Sequence, residues 1–325
     1  MSGSVKIGNK KVGLGNPCFV IAEIGINHNG SIHIAKQLID AAVEAGCDAV
    51  KFQKRKEQRV FTPEQLAQPR KVDISIIHNA MERMNIEDVR YWVFPEENYR
   101  RLKGDPTKTT NGDLKFALEF DMKEFDLIDI YCKEKGIMWF ASSWDGLSAH
   151  FVNGFNVPCH KIASACLTHI NLLQRVRSNG KPVILSTGGS TIEQVERAVK
   201  ILGKEDLIIL HCIANYPCKD EEINLLIIKT LQRKFPGIPI GYSGHEIGIT
   251  PSLVAVVIGA SVIERHITLD RKMPGSDHKA SLEPGEIKNL VSEIRRLEVV
   301  RGDGIKRVYD SEVEVMKKLR RKTDF

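Results

Sequence analysis

The sequence predicts an α/β chain closed into a (β/α)8 TIM barrel, with a short N-terminal hairpin and a long insertion after strand 2. Three observations carry this reading. Eight short apolar runs recur along the 325 residues, most of them separated by segments whose apolar residues fall at helical spacing. Strand and helix alternating at this length build a parallel sheet covered by helices, and eight such units in one chain suit closure better than an open sheet. No GxGxxG follows the first run, which counts against a dinucleotide-binding sheet.

The elements follow in order. VKIGNKKVG turns at Gly8-Asn9, so residues 1–16 read as a hairpin. The eight strands are FVIAEIG (19–25), DAVKFQ (48–53), IMWFASS (137–143), CHKIAS (159–164), PVILST (182–187), LIILHC (207–212), PIGYSGH (239–245) and SVIERH (261–266). Helices are expected over 31–46, 124–136, 171–180, 191–203, 223–237 and 251–260, the first of them stopping at Gly46. Segment 54–118 is too long and charged for a simple connection. An insertion after strand 2 would sit at the barrel mouth, as a lid or a substrate loop. Residues 281–325 form a helical tail, and the whole of 1–325 reads as one domain.

Composition narrows the class. A hydrophobic share of 42% supports a large core, and no apolar stretch is long enough to cross a bilayer, so no membrane partner is expected. The opening MSGSVKIGNKKVG lacks the apolar run of a signal peptide, and the seven cysteines are odd in number with no CxxC pair. Reduced thiols in a cytoplasmic protein fit this usage better than a disulfide framework. The net charge of +6 gathers partly in the tail. Without aromatic interleaving or a nucleic-acid motif, a solvated helix end accounts for it, and no nucleic-acid partner is expected.

A parallel barrel brings the C-terminal ends of its strands to one mouth, so the polar residues closing these runs would face one site. His245 and His266 end the neighbouring strands seven and eight. Two imidazoles on adjacent tips can share a divalent metal with positions left open; manganese, zinc, magnesium, iron and cobalt all suit. The plainer alternative is two buried histidines bonded to backbone. Lys51 and Lys161 lie inside apolar strands, a costly place for an ammonium without an anion. With Ser142, Ser143, Ser164 and Ser186 they suggest a phosphate and carboxylate cradle, while Ser243 stands with His245 at the end of strand seven. Helix capping is the competing role for each serine, and Schiff-base chemistry the competing role for a lysine. Glu23 could bind hydroxyls or act as a general base. Gln53, Asn215, Tyr216 and Asp277 stand at the same ends and could contact a substrate, whereas Asn27, His28 and Asn29 suit a turn.

Most of these residues fall within AEIGINHNG, AVKFQ, LEFD (118–121), HKIAS, PVILSTGG, LHC with NYP, GYSGHEIG, VIERHITLDRKMPGSDHKASLEP and RGDG (301–304). Together the motifs resemble the sialic acid synthase family, makers of nonulosonic acids, over nearly the whole chain. The resemblance implies an enzyme that condenses phosphoenolpyruvate with an open-chain amino-sugar aldehyde and water, releasing phosphate. It assigns Lys51, Ser143, Lys161, Ser164, Ser186 and Ser243 to phosphoenolpyruvate, and leaves Asn215 as the candidate to substitute for an asparagine that some members carry one position earlier. His245 and His266 match the metal ligands, with manganese first among the candidates. Glu23, Gln53, Tyr216 and Asp277 match acceptor contacts. A homodimer is the assembly it suggests. Cys166 stands where some members carry a glutamate, and Ala214 where some carry an asparagine. No antifreeze-like domain is expected after RRKTDF. The nearest rival function is the same chemistry on a phosphorylated aldose, as in 3-deoxy-octulosonate phosphate synthases. A silent sugar-binding barrel is the rival from another class.

Overall fold

The computed structural model describes residues 3–84 and 94–321. Part of the expected insertion (85–93) and the end of the tail (322–325) lie outside the described residues. β1 (Val5–Ile7) and β2 (Lys10–Val12) form an antiparallel hairpin, with Gly8 at a left-handed φ of 57° in its turn. The next eight strands are β3 (Phe19–Gly25), β4 (Ala49–Lys54), β5 (Met138–Ser143), β6 (His160–Ile162), β7 (Val183–Ser186), β8 (Leu207–Cys212), β9 (Ile240–Gly244) and β10 (Val262–His266). They are parallel and close into a barrel, β10 pairing back onto β3. Each expected run overlaps one of them, β4 running one residue beyond its run to Lys54.

Strand parity decides what faces inward. In β10, Glu264 and His266 point into the barrel and Arg265 points out. Below the mouth the interior is tightly filled. A Cβ on Gly241 would lie 2.6 Å from Leu210 Cδ2 and 2.7 Å from Val262 Cβ, so only glycine fits that layer.

The outer helices begin and end on local signals. Ser31 caps Ile32–Ala45, which stops at Gly46 with φ 79°, and Asp121 caps Met122–Lys135, which stops at Gly136 with φ 70°. Two outcomes differ from the sequence reading. The helix expected over 223–237 begins only at Ile227, because Asn224 turns left-handed at φ 45° and separates it from a short turn at Asp220–Ile223. A further helix at Gly146–Gly154 is capped by Asp145, which accepts from Leu147 N and Ser148 N. Its small residues blur the apolar period, so the pattern did not reveal it. No described helix is long and apolar enough to cross a membrane.

Between β4 and Met122 the described chain forms short helices at Glu57–Val60, Pro63–Ala67, Ile74–Arg83, Glu96–Gly104 and Asn111–Ala117. They bury a separate apolar cluster around Ile77, Phe94, Leu102 and Phe116. Asn79 Nδ2 donates to Asn29 O at 2.9 Å, and Arg83 donates to Ala117 O and Glu119 O at 2.6 and 3.0 Å. The insertion is thereby pinned over the loop that follows β3. Within it Glu57 is buried with Oε1 unpartnered, and burial together with Glu119 raises its carboxyl to about 8. In the tail, Pro284–Val300 packs on the barrel, while Asp310–Leu319 buries no residue.

Outside β10, the buried Arg265 donates to Glu246 Oε1 (2.9 Å), Glu246 O (2.7 Å), Gly248 O (2.7 Å) and Ser252 Oγ (3.0 Å). Removing one partner of such a pair strands a buried charge. Glu246→Ala is expected to cost about 3–5 kcal/mol in urea unfolding; a loss under about 1 kcal/mol would show that the pair does not hold this wall. Glu57 tests the insertion. Its folded pKa lies above the unfolded value, so its contribution is present at low pH and fades as pH rises through about 8. Glu57→Gln should therefore gain on the parent by roughly 1–3 kcal/mol between about pH 5 and about pH 8. A pH-independent difference would place that carboxyl in water.

Candidate active site

The inward residues of the strand tips line one cavity of about 180 Å³. Glu23 comes from β3, Lys51 and Gln53 from β4, Ser142 from β5, Lys161 from β6 and Ser186 from β7. Cys212, Ser243 and Glu264 come from β8, β9 and β10, and His245 and His266 close the rim. Residues more than 200 positions apart thus meet because the sheet closes.

The floor is an ion cluster. Lys51 Nζ lies 2.8 Å from Glu23 Oε2 and 3.6 Å from Glu264 Oε1, and donates to Ser142 Oγ at 2.8 Å. Lys161 Nζ donates to Ser186 Oγ at 2.7 Å and also lies 3.6 Å from Glu264 Oε1. Ser243 Oγ donates to that same oxygen at 3.1 Å, while Oε2 has no hydrogen-bond partner among the described residues. Burial alone would raise the Glu264 carboxyl, but Lys161 and Lys51 outweigh it and hold the group at about 2. Burial depresses Lys161, and Glu264 offsets this only in part. For Lys51 burial also pulls downward, yet Glu23 and Glu264 prevail and raise it. Burial lifts Glu23 to about 7 against the opposing pull of Lys51. Two ammonium groups face one firmly ionised carboxylate and one carboxyl near neutrality, which suits an incoming anion.

The rim has a different character. His245 and His266 stand with ring centroids 5.4 Å apart, and Tyr216 stacks on His245 at 3.9 Å. His245 Nδ1 donates to Ile213 O at 2.5 Å, so its proton is fixed there and Nε2 is left with a free lone pair. Burial lowers both imidazoles to about 3 and keeps them neutral, the form that binds metals. His266 Nδ1 is buried without a hydrogen-bond partner, and Asp277 Oδ2 lies 3.8 Å from it. No group of three or more His, Cys, Asp or Glu among the described residues is arranged to hold a metal. The pair nevertheless fits a divalent ion that fills its remaining positions from water or ligand.

The other expected residues fall on both sides of this site. Ser164 lies in the wall, where Gly188 N donates to its hydroxyl at 3.0 Å. Gln53 Nε2 donates to Glu23 Oε1 at 3.2 Å. Ser143 does not line the cavity: it is buried and unpartnered, and Ser142, of opposite parity, bonds Lys51 instead. Asn215 is exposed and donates to Glu222 at 3.1 Å, away from the wall, whereas Ala214 lines it. His278 turns to Thr268 at 2.7 Å and Asn29 at 3.2 Å. His28 accepts from Gly30 N at 3.1 Å. The sequence reading passed over Glu264, Cys212 and Trp144. Only the period-2 parity of Glu264 with His266 could have marked the first.

Known proteins share this arrangement of chain. The NeuB family model matches residues 38–107 and 93–306. N-acetylneuraminate-9-phosphate synthase of Mus musculus is 37% identical over 95% of this chain and 78% of its own length. N,N'-diacetyllegionaminic acid synthase of Legionella pneumophila is 33% identical over 97% of this chain and 82% of its own length. The crystal structure of N-acetylneuraminic acid (sialic acid) synthetase from Leptospira borgpetersenii, in complex with citrate, has a TM-score of 0.74 at 34% identity and covers 99% of both chains.

The floor's charge balance can be tested with inorganic phosphate alone. Glu264→Gln removes the carboxylate that competes for both lysines and should tighten phosphate binding by calorimetry, by about tenfold. Lys161→Met should weaken it by at least that factor. Equal phosphate affinity in all three proteins would show that the floor does not receive anions.

Proposed function

This chain belongs to the NeuB family, and we propose that it condenses phosphoenolpyruvate with the aldehyde of an open-chain N-acyl-amino sugar and water. The products are a 3-deoxy-2-keto sugar acid and phosphate. One observation carries the reading: two buried ammonium groups and two neutral imidazoles converge in a single cavity. The first pair suits a small, highly anionic donor. The second suits a cation beside an aldehyde. The names of the relatives from Mus musculus and Legionella pneumophila place such sugar acids among the products of this family.

Each group has a task. Lys51 and Lys161 hold the donor's carboxylate and phosphate, aided by the hydroxyls of Ser164, Ser186 and Ser243. In the free protein Glu23 and Glu264 occupy these cations. The donor takes over that pairing, so the lysines need not move far. Tyr216 covers His245 and closes one side of the rim. Gln53 and Asp277 stand where sugar hydroxyls would lie. His245 and His266 would hold a divalent cation, manganese the first candidate, which would supply Lewis acidity to the reaction.

Carbon 3 of the donor forms the new bond to the aldehyde carbon, and positive charge develops at carbon 2. Ionised Glu264 lies at the floor to stabilise it. Water adds at carbon 2. One of its protons replaces the charge on the former aldehyde oxygen, and the other leaves with phosphate as the carbon–oxygen bond to phosphorus's oxygen breaks. Glu23, raised to about 7, is a carboxyl able to take and return a proton at neutral pH, and we assign it that transfer. The seven free cysteines suit the cytoplasm as the place of work.

With phosphoenolpyruvate, manganese and a panel of aldoses including N-acetylmannosamine, its phosphate ester and diacetamido-hexoses, phosphate release is expected with at least one acceptor. Silence across the panel would sink the reading. His266→Ala should lower kcat by at least about 100-fold while leaving the unfolding curve in chelator nearly unchanged. Full activity in that variant would remove the metal role.

A further inference from the structure

Three strand ends meet at one joint in the cavity wall. Ser164 opens the short 3-10 turn after β6, Gly188 lies two residues past β7, and Cys212 closes β8. Ser164 and the buried Cys212 both line the cavity. Gly188 N lies 3.0 Å from Ser164 Oγ and 3.1 Å from Cys212 Sγ, and the oxygen and sulfur are themselves 3.0 Å apart. One amide proton thus faces two acceptors across a closed triangle. A Cβ on Gly188 would stand 2.9 Å from Cys212 Sγ, 3.0 Å from Ser164 Oγ and 3.3 Å from Cys212 O. Only glycine lets the backbone come this near.

The hydrogens of the joint can be counted. Gly188 N–H only donates. A single hydrogen lies between the sulfur and the hydroxyl oxygen, and either group can supply it. If Ser164 supplies it, the hydroxyl is spent inside the joint, and the thiol proton has no acceptor among the described residues. If Cys212 supplies it, the serine oxygen receives two hydrogens, which fill both of its lone pairs. Its own O–H then remains free to donate elsewhere. Oxygen is also the stronger acceptor of the two. Ser164 shares the cavity with Lys161 and Ser186, which bond each other at 2.7 Å, so an anion held there would receive that O–H.

We propose that Cys212 is a positioning residue of the donor cradle: its thiol donates to Ser164 Oγ and, together with Gly188 N, turns the serine O–H toward the anionic donor. That Ser164 serves the donor rests on the condensation reading. The part of Cys212 comes from the joint itself and requires no contact between sulfur and donor. A serine at this position would keep an O–H for the same task, whereas an alanine would leave one lone pair of Ser164 unfilled and its hydroxyl free to rotate.

Calorimetry with phosphoenolpyruvate on the full chain reads the joint, with urea unfolding to show that each variant is folded. Ser164→Ala should weaken donor binding about tenfold, the worth of one hydrogen bond to a charged group. Cys212→Ala should weaken it by about three- to tenfold, and Cys212→Ser should stay within about twofold of the parent. In the Ser164→Ala background, Cys212→Ala should add less than about twofold, since no hydroxyl is left to orient. A role in packing alone gives the opposite pattern, with no rescue by serine and losses that multiply. Unchanged binding in Cys212→Ala, a Cys212→Ser variant as weak as Cys212→Ala, or multiplying losses overturns the role of Cys212 and leaves the condensation standing. A Ser164→Ala variant that binds as the parent does overturns it too. A parent chain that binds no phosphoenolpyruvate sinks the donor reading itself, and the role of Cys212 with it.

Discussion

Two lysines buried in one cavity repel each other, and neither could stay charged there alone. The Glu264 carboxylate, 3.6 Å from both ammonium groups, makes their coexistence tolerable. Most other features of the site follow from this cluster. Ser142, Ser186 and Ser243 satisfy its remaining donors and acceptors. Glu23 pairs with Lys51 on the far side and feels the low dielectric enough to titrate near neutrality. An ion cluster of this kind is weak as a source of stability, because desolvation offsets most of the attraction. Its value lies in readiness, since an anion that displaces the carboxylates finds its partners already in position.

The same strand that supplies Glu264 links the floor to the outer wall. Its next residue, Arg265, turns outward and is fixed by Glu246, Gly248 and Ser252. Tyr242 of β9 donates to Glu246 at 2.7 Å, so two adjacent strands share one outer anchor. Alternating residues of β10 therefore set both the catalytic layer and the seam that keeps it rigid. This arrangement gives the histidine at the strand end a firm base, and His245 gains a second one through Ile213.

Above the rim, the insertion has its own small core and touches the barrel through polar contacts such as Asn79 to Asn29. An accessory layer built this way can vary without disturbing the barrel. The floor, by contrast, is made by residues of the strands themselves.

Much of this molecule was legible in its sequence. The eight apolar runs marked every barrel strand, because a buried parallel strand must be apolar and β-branched over a few residues. Lysines and histidines inside or at the ends of those runs stood out, since charge and polarity in such places demand a partner. What only the tertiary structure decided is which residues become partners. Ser142 rather than Ser143 meets Lys51 because parity within β5 settles it. Glu264 gained its central role only when closure brought β10 beside β3 and opposite Lys161. Asn79 reached the backbone of Asn29 through a fold of the insertion that no local pattern encodes. Local periodicity and capping act over a few residues and can be read from the chain. Barrel closure and loop packing join residues far apart in the chain, and only the folded geometry fixes which charges meet.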